Sequence, residues 1–181
     1  SFSGQNSGTL TTGTNTLATG ESIAAGVTHT YNLSFVVTLD LTDGAGDDVY
    51  TACDGTSPVA GEGLFNTASL TTNGTTIEAE DCGDLPNITV AKVFDSATPN
   101  GDGTFTVTYT VTVENTGGAA GTYDLEDTPG FDDDIAINSG SFSGQNSGTL
   151  TTGTNTLATG ESIAAGGTHT YNLSFNVTLD L

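Results

Sequence analysis

The chain has 181 residues, with 22 acidic side chains against a single basic one, Lys92, and a formal net charge of −21. This balance excludes the phosphate contacts of nucleic-acid binding, which need Lys and Arg, and it disfavours docking on an anionic membrane surface. It favours attraction to cations and solubility at high salt, and no stretch is long and apolar enough to span a bilayer.

The chain opens on a passage that it later repeats. Residues 1–41 align without a gap with residues 141–181, a shift of 140. Only two positions differ: Val27 stands against Gly167, and Val36 against Asn176. A period of this size is far longer than the roughly 20–50 residues of a solenoid repeat and matches a whole domain. The chain therefore reads as a window on a tandem array of near-identical domains. It does not begin with Met and shows no signal peptide, and it reads as an interior fragment.

Each copy ends in an alternating run. In the second, Tyr171, Leu173, Phe175, Val177 and Leu179 point in, and Thr170, Asn172, Ser174, Asn176 and Thr178 point out. Position 36/176 lies on the outward face and 27/167 in a Gly-containing turn, so neither exchange is expected to touch the core. An acidic loop follows the first copy at 40–54. Leu64 to Leu70 and Thr75 to Ala79 predict a hairpin, with Asn73-Gly74 as its two-residue turn. Cys53 and Cys82 fall within one period. In an extracellular β domain they would pair, and an unstrained bridge closing such a loop contributes roughly 3 kcal/mol; two free thiols are the alternative.

The short polar stretch Asp81-Cys-Gly-Asp-Leu-Pro-Asn87 is the expected domain boundary. Residues 1–85 would then be the later part of one repeat, and residues 86–181 the earlier part of the next. Neither part is complete: the first lacks strands equivalent to 88–114, the second those equivalent to 64–79. Each needs strands from a neighbouring stretch, from the same polypeptide or from another subunit by strand donation. Past the boundary, Ile88 to Phe94 is a strand. Thr104 to Glu114 alternates strictly, with Phe105, Val107, Tyr109, Val111 and Val113 on one face and Thr on the other. Short strands are expected at Tyr123–Leu125, Ile135–Asn138 and Thr149–Leu157. No stretch has helical periodicity. Many strands separated by Gly, Asn and Asp clusters predict an all-β antiparallel sandwich.

Leu85-Pro-Asn-Ile-Thr-Val-Ala-Lys-Val-Phe-Asp95, followed by Asn100-Gly-Asp-Gly-Thr-Phe-Thr-Val-Thr-Tyr-Thr-Val-Thr-Val-Glu-Asn-Thr-Gly117, resembles the repeat called "domain of unknown function eleven". Leu125-Glu-Asp-Thr-Pro129, Leu157-Ala-Thr-Gly-Glu-Ser162 and Asn66-Thr-Ala-Ser69 extend the resemblance over nearly a full period, in the family's order when the array is read from residue 86. The resemblance implies an immunoglobulin-like fold repeated in tandem on large prokaryotic surface proteins. It implies an extracellular structural or adhesive role and no enzyme activity. The Gly/Thr-rich stretch at 139–167 and the acidic loop at 40–54 depart from the pattern and read as insertions.

Three acidic groups are candidate calcium sites: Asp40, Asp43, Asp47 and Asp48; Asp95, Asn100 and Asp102; Asp127, Asp132, Asp133 and Asp134. Calcium takes six to eight oxygen ligands, which loops supply as carboxylates and carbonyls. Solvated turns are the alternative, since Asp and Asn favour turns. Asn100-Gly-Asp-Gly starts like a calcium loop but is no EF-hand, because Val111 stands where the bidentate Glu would be.

Lys92 shares a strand face with Val90 and Phe94. Desolvation lowers the pKa of a buried Lys, and a neutral amine is a nucleophile. The immunoglobulin-like resemblance implies an isopeptide crosslink as one use of such a Lys, with Asp127 as the assisting acid and Asn66 as the acceptor. Asn66 belongs to the domain before Lys92, so the partner would be its equivalent downstream or in a neighbour. The alternative is a lone Lys whose stem covers apolar surface. His29 and His169 are copies of one strand-start position, with no metal-ligand spacing. No Gly-x-Ser-x-Gly elbow occurs. Asn32, Asn73, Asn87, Asn172 and Asn176 head glycosylation triplets, which arise by chance in so Thr-rich a chain.

These readings lead to an expectation of a structural repeat in an extracellular filament or surface stalk, self-associating with adjacent repeats or subunits. An adhesin binding a glycan or protein on another surface is the alternative.

Overall fold

A computed structural model describes residues 1–38, Cys53 and residues 62–179. Among them every regular element is a strand and every pairing is antiparallel. The chain divides into two compact units, Ser1–Ala45 and Gly46–Leu181. The acidic group Asp40, Asp43, Asp47 and Asp48 lies outside the described residues.

The first unit holds two short strands, β1 (Phe2–Gly4) and β2 (Tyr31–Leu33), paired with Phe2 opposite Leu33 and Gly4 opposite Tyr31. The second begins with the hairpin β3 (Asn66–Thr72) and β4 (Thr75–Asp81). Its turn is the expected Asn73-Gly74, with φ of 52° and 78°, the left-handed pair that this dipeptide adopts at low cost. There follow β5 (Ile88–Pro99), β6 (Thr104–Asn115), β7 (Gly121–Asp127), β8 (Ile135–Gly144), β9 (Gly148–Leu150), β10 (Asn155–Ile163) and β11 (Thr168–Leu179).

Five of these form one sheet in the order β5-β6-β11-β8-β9, and β10 pairs with β7 in a second. Buried side chains of both sheets meet in one core, among them Val111, Val113, Leu125, Leu157, Ile163, Tyr171 and Phe175. This is the layering of a β-sandwich. The alternation in β11 places Tyr171, Leu173, Phe175 and Val177 in the core as expected, while Leu179 at the strand end stays exposed. Each fully buried large side chain contributes about 1.5–3 kcal/mol relative to exposure.

Two expectations need correction. Thr149–Leu157 is not one strand: β9 ends at Leu150, and β10 starts at Asn155 after a turn, so the Gly/Thr-rich stretch at 139–167 carries the end of β8, β9 and β10. The 27/167 exchange does reach the core. A Cβ on Gly167 would lie 3.1 Å from Cγ1 of Ile163, which is fully buried.

Candidate functional site

The two copies of the repeated passage hold the same local bonds. Gln5 and Gln145 donate their backbone N–H to Thr30 and Thr170, each at 3.0 Å. Asn15 Oδ1 accepts from the Thr11 N–H at 2.8 Å, and Asn155 Oδ1 from Thr151 at 2.7 Å. The Phe2 and Phe142 rings lie where a Cβ on Gly8 or Gly148 would be, both at 2.7 Å.

Burial separates the copies. Phe175 is fully buried and Phe35 is 53% exposed; Ile163 is fully buried and Ile23 is 56% exposed. The cause is the strands alongside. β11 runs for twelve residues because β6 pairs along its whole length on one edge and β8 along most of the other. Among the described residues β2 runs for three and pairs only with β1. β10 is held by β7, whereas residues 15–23 form no strand. The first unit thus presents an open strand edge and a bare apolar face at Tyr31–Val37.

The second unit has an opening of its own. The two-stranded sheet is narrower than the five-stranded sheet it covers, so β5 and β6 are partly bare. A groove of ≈ 260 Å³ runs between Ile88 and Val90 on β5, Val113 on β6, and Tyr123 and Leu125 on β7. A second, of ≈ 210 Å³, is lined by Phe94, Val107, Tyr109, Phe131 and Val177. Val90 and Phe94 are more than half exposed. The β3–β4 hairpin meanwhile carries Leu70 opposite Ile77 and Ala68 opposite Ala79, with the two large side chains exposed.

Lys92 lies on the same face as Val90 and Phe94, as expected, opposite Val111. Its ammonium forms an ion pair with Asp127 Oδ1 and sits 4.8 Å from the centre of the Tyr109 ring. Asp127 is buried at the end of β7, and its Oδ2 has no hydrogen-bond partner among the described residues. Lys92 and Asp127 therefore come together as the family resemblance suggests. Asn66 stands elsewhere in the register, opposite Asp81 in the separate β3–β4 sheet.

Cys53 and Cys82 form a disulfide, a bond that fits an oxidising compartment. Around it the expected boundary is tied down rather than loose. The Cys53 N–H donates to Asp84 Oδ1 at 2.7 Å, and Leu64 N–H to the Gly83 carbonyl at 2.8 Å. A Cβ on Gly117 would fall 2.2 Å from the Leu85 carbonyl oxygen, and one on Gly118 2.0 Å from Asp84 Oδ2. The Gly-Gly pair after β6 is therefore the seat of the segment that joins β4 to β5.

Asn115, wholly buried, fastens that seat. Its Oδ1 accepts from the N–H groups of Asn87 (3.0 Å) and Gly117 (3.1 Å), and its Nδ2 donates to the carbonyls of Ala119 (2.8 Å) and Ala164 (3.1 Å). Sequence reasoning passed over it. The available signal was an amide residue at a strand end, one residue removed from Gly-Gly, where polar backbone needs partners. Also missed was the contact of Tyr123 Oη with His169 Nδ1 and with Tyr171 Oη, both at 2.7 Å. Burial, and then the bond to Tyr171, hold the Tyr123 hydroxyl protonated well above the usual phenol range.

The described acidic groups differ in what they leave free. Asp95 accepts from Thr110 Oγ1 at 2.8 Å, and Asp102 Oδ1 from both the hydroxyl and the amide of Thr104 at 2.7 and 3.0 Å. Those two bonds lower the Asp102 pKa. Asn100 bonds Thr104 and Thr106. Asp132, Asp133 and Asp134 are exposed, with carboxylate oxygens within 4.8 Å of one another. Asp127 is engaged with Lys92 instead. Among the described residues no helix is long and apolar enough to cross a membrane. No protein-family model, curated protein or solved structure matches the chain.

Proposed function

We propose that this chain is a structural repeat of an extracellular filament or surface stalk, built from successive immunoglobulin-like domains with a 140-residue period. The observation that carries the reading is the contrast between the copies: one passage is closed into a core at 141–179 and left open at 1–38. The openings match in kind. Among the described residues the first unit lacks the strands that β5, β6 and β7 supply to the second, and the second has a bare groove beside β7 while an amphipathic hairpin stands without a core. An array supplies each missing part from the repeat beside it.

The joint supports a load-bearing role as well. Asp84 on Gly118 and the bonds of Asn115 connect the segment after the hairpin to the next sandwich, and the disulfide ties the end of that hairpin to Cys53. One Lys in the whole chain leaves trypsin-like proteases almost nothing to cut. The ordered motifs that resemble the tandem surface repeat point the same way. Calcium at Asp132, Asp133 and Asp134 belongs to the proposal on the convergence of their carboxylates alone.

Electron microscopy of the native material tests the reading. A twelve-residue strand such as β11 spans about 40 Å, which sets the length of one domain. Continuous fibres with an axial spacing near that value support the filament. Isolated flexible strings ending in a distinct head sink it and favour the adhesin.

A further inference from the structure

We infer that residues 1–38 are an acceptor for a further copy of the Ile88–Asp127 block, which completes them as β5, β6 and β7 complete residues 141–179. The inference rests on the repeat reading above and adds the occupant and its register. Up to residue 38 the two passages differ only at positions 27 and 167, and 36 and 176, so the second copy is a template for the first. There Tyr171 pairs with Val111, Leu173 with Tyr109, Phe175 with Val107 and Val177 with Phe105. The same register would set Tyr31, Leu33, Phe35 and Val37 against the corresponding residues of the incoming strand. Phe35 and Val37, both more than half exposed, would become buried.

The acceptor is already shaped. β1 and β2 keep the register that β8 and β11 keep over the matching residues, Phe2 to Leu33 and Phe142 to Leu173. Val36, wholly exposed, takes the outward place of Asn176 and meets nothing that the incoming block must displace. Among the described residues, the free edge of β2, the apolar face beneath it and residues 15–23, the counterpart of β10, lack a partner.

Counting decides where the occupant comes from. The described residues hold two acceptors, 1–38 and 141–179, and one block, which the second acceptor already holds. A second copy of the chain could fill the first acceptor only by emptying its own second one. The occupant is therefore a block additional to Ile88–Asp127, and the test places it ahead of the acceptor, where Ile88–Asp127 stands relative to residues 141–179.

The test extends the full chain at its N-terminus with a second copy of residues 86–140 and reads backbone hydrogen exchange. Protection of amides 31–37 should rise by about 100-fold or more, toward that of 171–177, since locally open segments exchange far faster than core strands. A matched extension with Val111→Asp and Val113→Asp in the added copy alone should leave 31–37 unprotected. Unchanged exchange at 31–37 in the first extension, with 171–177 still protected, overturns the inference in a chain known to be folded. Protection of 31–37 in the unextended chain, with dimer formation and loss at 171–177, overturns it too, because a second copy would then be the donor. A chain that closes its first repeat yet forms no fibre sinks the filament reading and leaves the acceptor standing.

Discussion

Lys92 on β5 places its ammonium on Oδ1 of Asp127 on β7, while the other carboxylate oxygen of Asp127 is buried without a hydrogen-bond partner among the described residues. The chain's one basic side chain thus neutralises the most enclosed of the described acids, between the two sheets. Lys92→Met should destabilise the second unit by about 2 kcal/mol in chemical denaturation. This is below the roughly 3–5 kcal/mol of a fully buried pair, because Lys92 keeps 38% of its side-chain surface in solvent. Lys92→Met with Asp127→Leu should recover most of the loss, since no uncompensated charge remains. A neutral Lys92→Met would show that the pair contributes nothing.

The same pair bears on the crosslink. Asn66 is not joined to the sheet that carries Lys92, so a single chain should show its sequence mass less the two hydrogens of the disulfide. Loss of one ammonia in the intact mass would show that Asn66, or another amide, had reached Lys92.

Asn115 satisfies four backbone groups at the seat of the joint. Asn115→Ala should cost about 3 kcal/mol, because several buried polar groups lose their partner together. Asn115→Asp keeps the acceptor but loses both donor bonds. Its urea midpoint should also fall below that of the parent protein.

Gly117 and Gly118 differ in what stands against them. Gly118→Ala meets the carboxylate of Asp84 at 2.0 Å and its Cβ at 2.6 Å, and should cost about 1–3 kcal/mol. Asp84→Ala in the same chain should return part of that. Gly117→Ala meets the Leu85 backbone, so no side-chain change should rescue it. Equal rescue of both by Asp84→Ala would refute the placement of the joint.

Glu161 accepts from Gln145 Nε2 at 2.8 Å and Asn146 Nδ2 at 3.2 Å, and these bonds lower its pKa below the model-compound 4.5. A depressed folded pKa gives stability that is present above the unfolded value and lost as pH falls through the folded one. Carboxyl NMR should show a Glu161 midpoint below 4.5, moving up toward it in Gln145→Ala. An unmoved midpoint would remove Gln145 as the cause.

Much of the fold is legible in the residues. Strict alternation of Val, Tyr and Phe with Thr in β6 and with polar residues in β11 set the inward faces, because a strand turns successive side chains to opposite sides. Asn73-Gly74 specified its turn by conformational preference alone. The Cys53–Cys82 pair was also readable, whereas the meeting of Lys92 with Asp127 was suggested only by the family resemblance. Strand limits in 139–167 were not, because Gly, Ser and Thr carry little alternation. The full role of Asn115 was not readable either, since two of its partners, Asn87 and Ala164, come from distant stretches of chain.

The repeated passage divides the two contributions most plainly. By itself the sequence determined the bonds within each copy: Phe2 and Phe142 on their glycines, Asn15 and Asn155 closing their turns. These depend on contacts a few residues away and recur wherever the passage occurs. Whether Phe35 or Phe175 is buried was decided by tertiary structure. A strand has an inward face only when other strands stand beside and across from it, and β6 and β7 do so for one copy and not for the other.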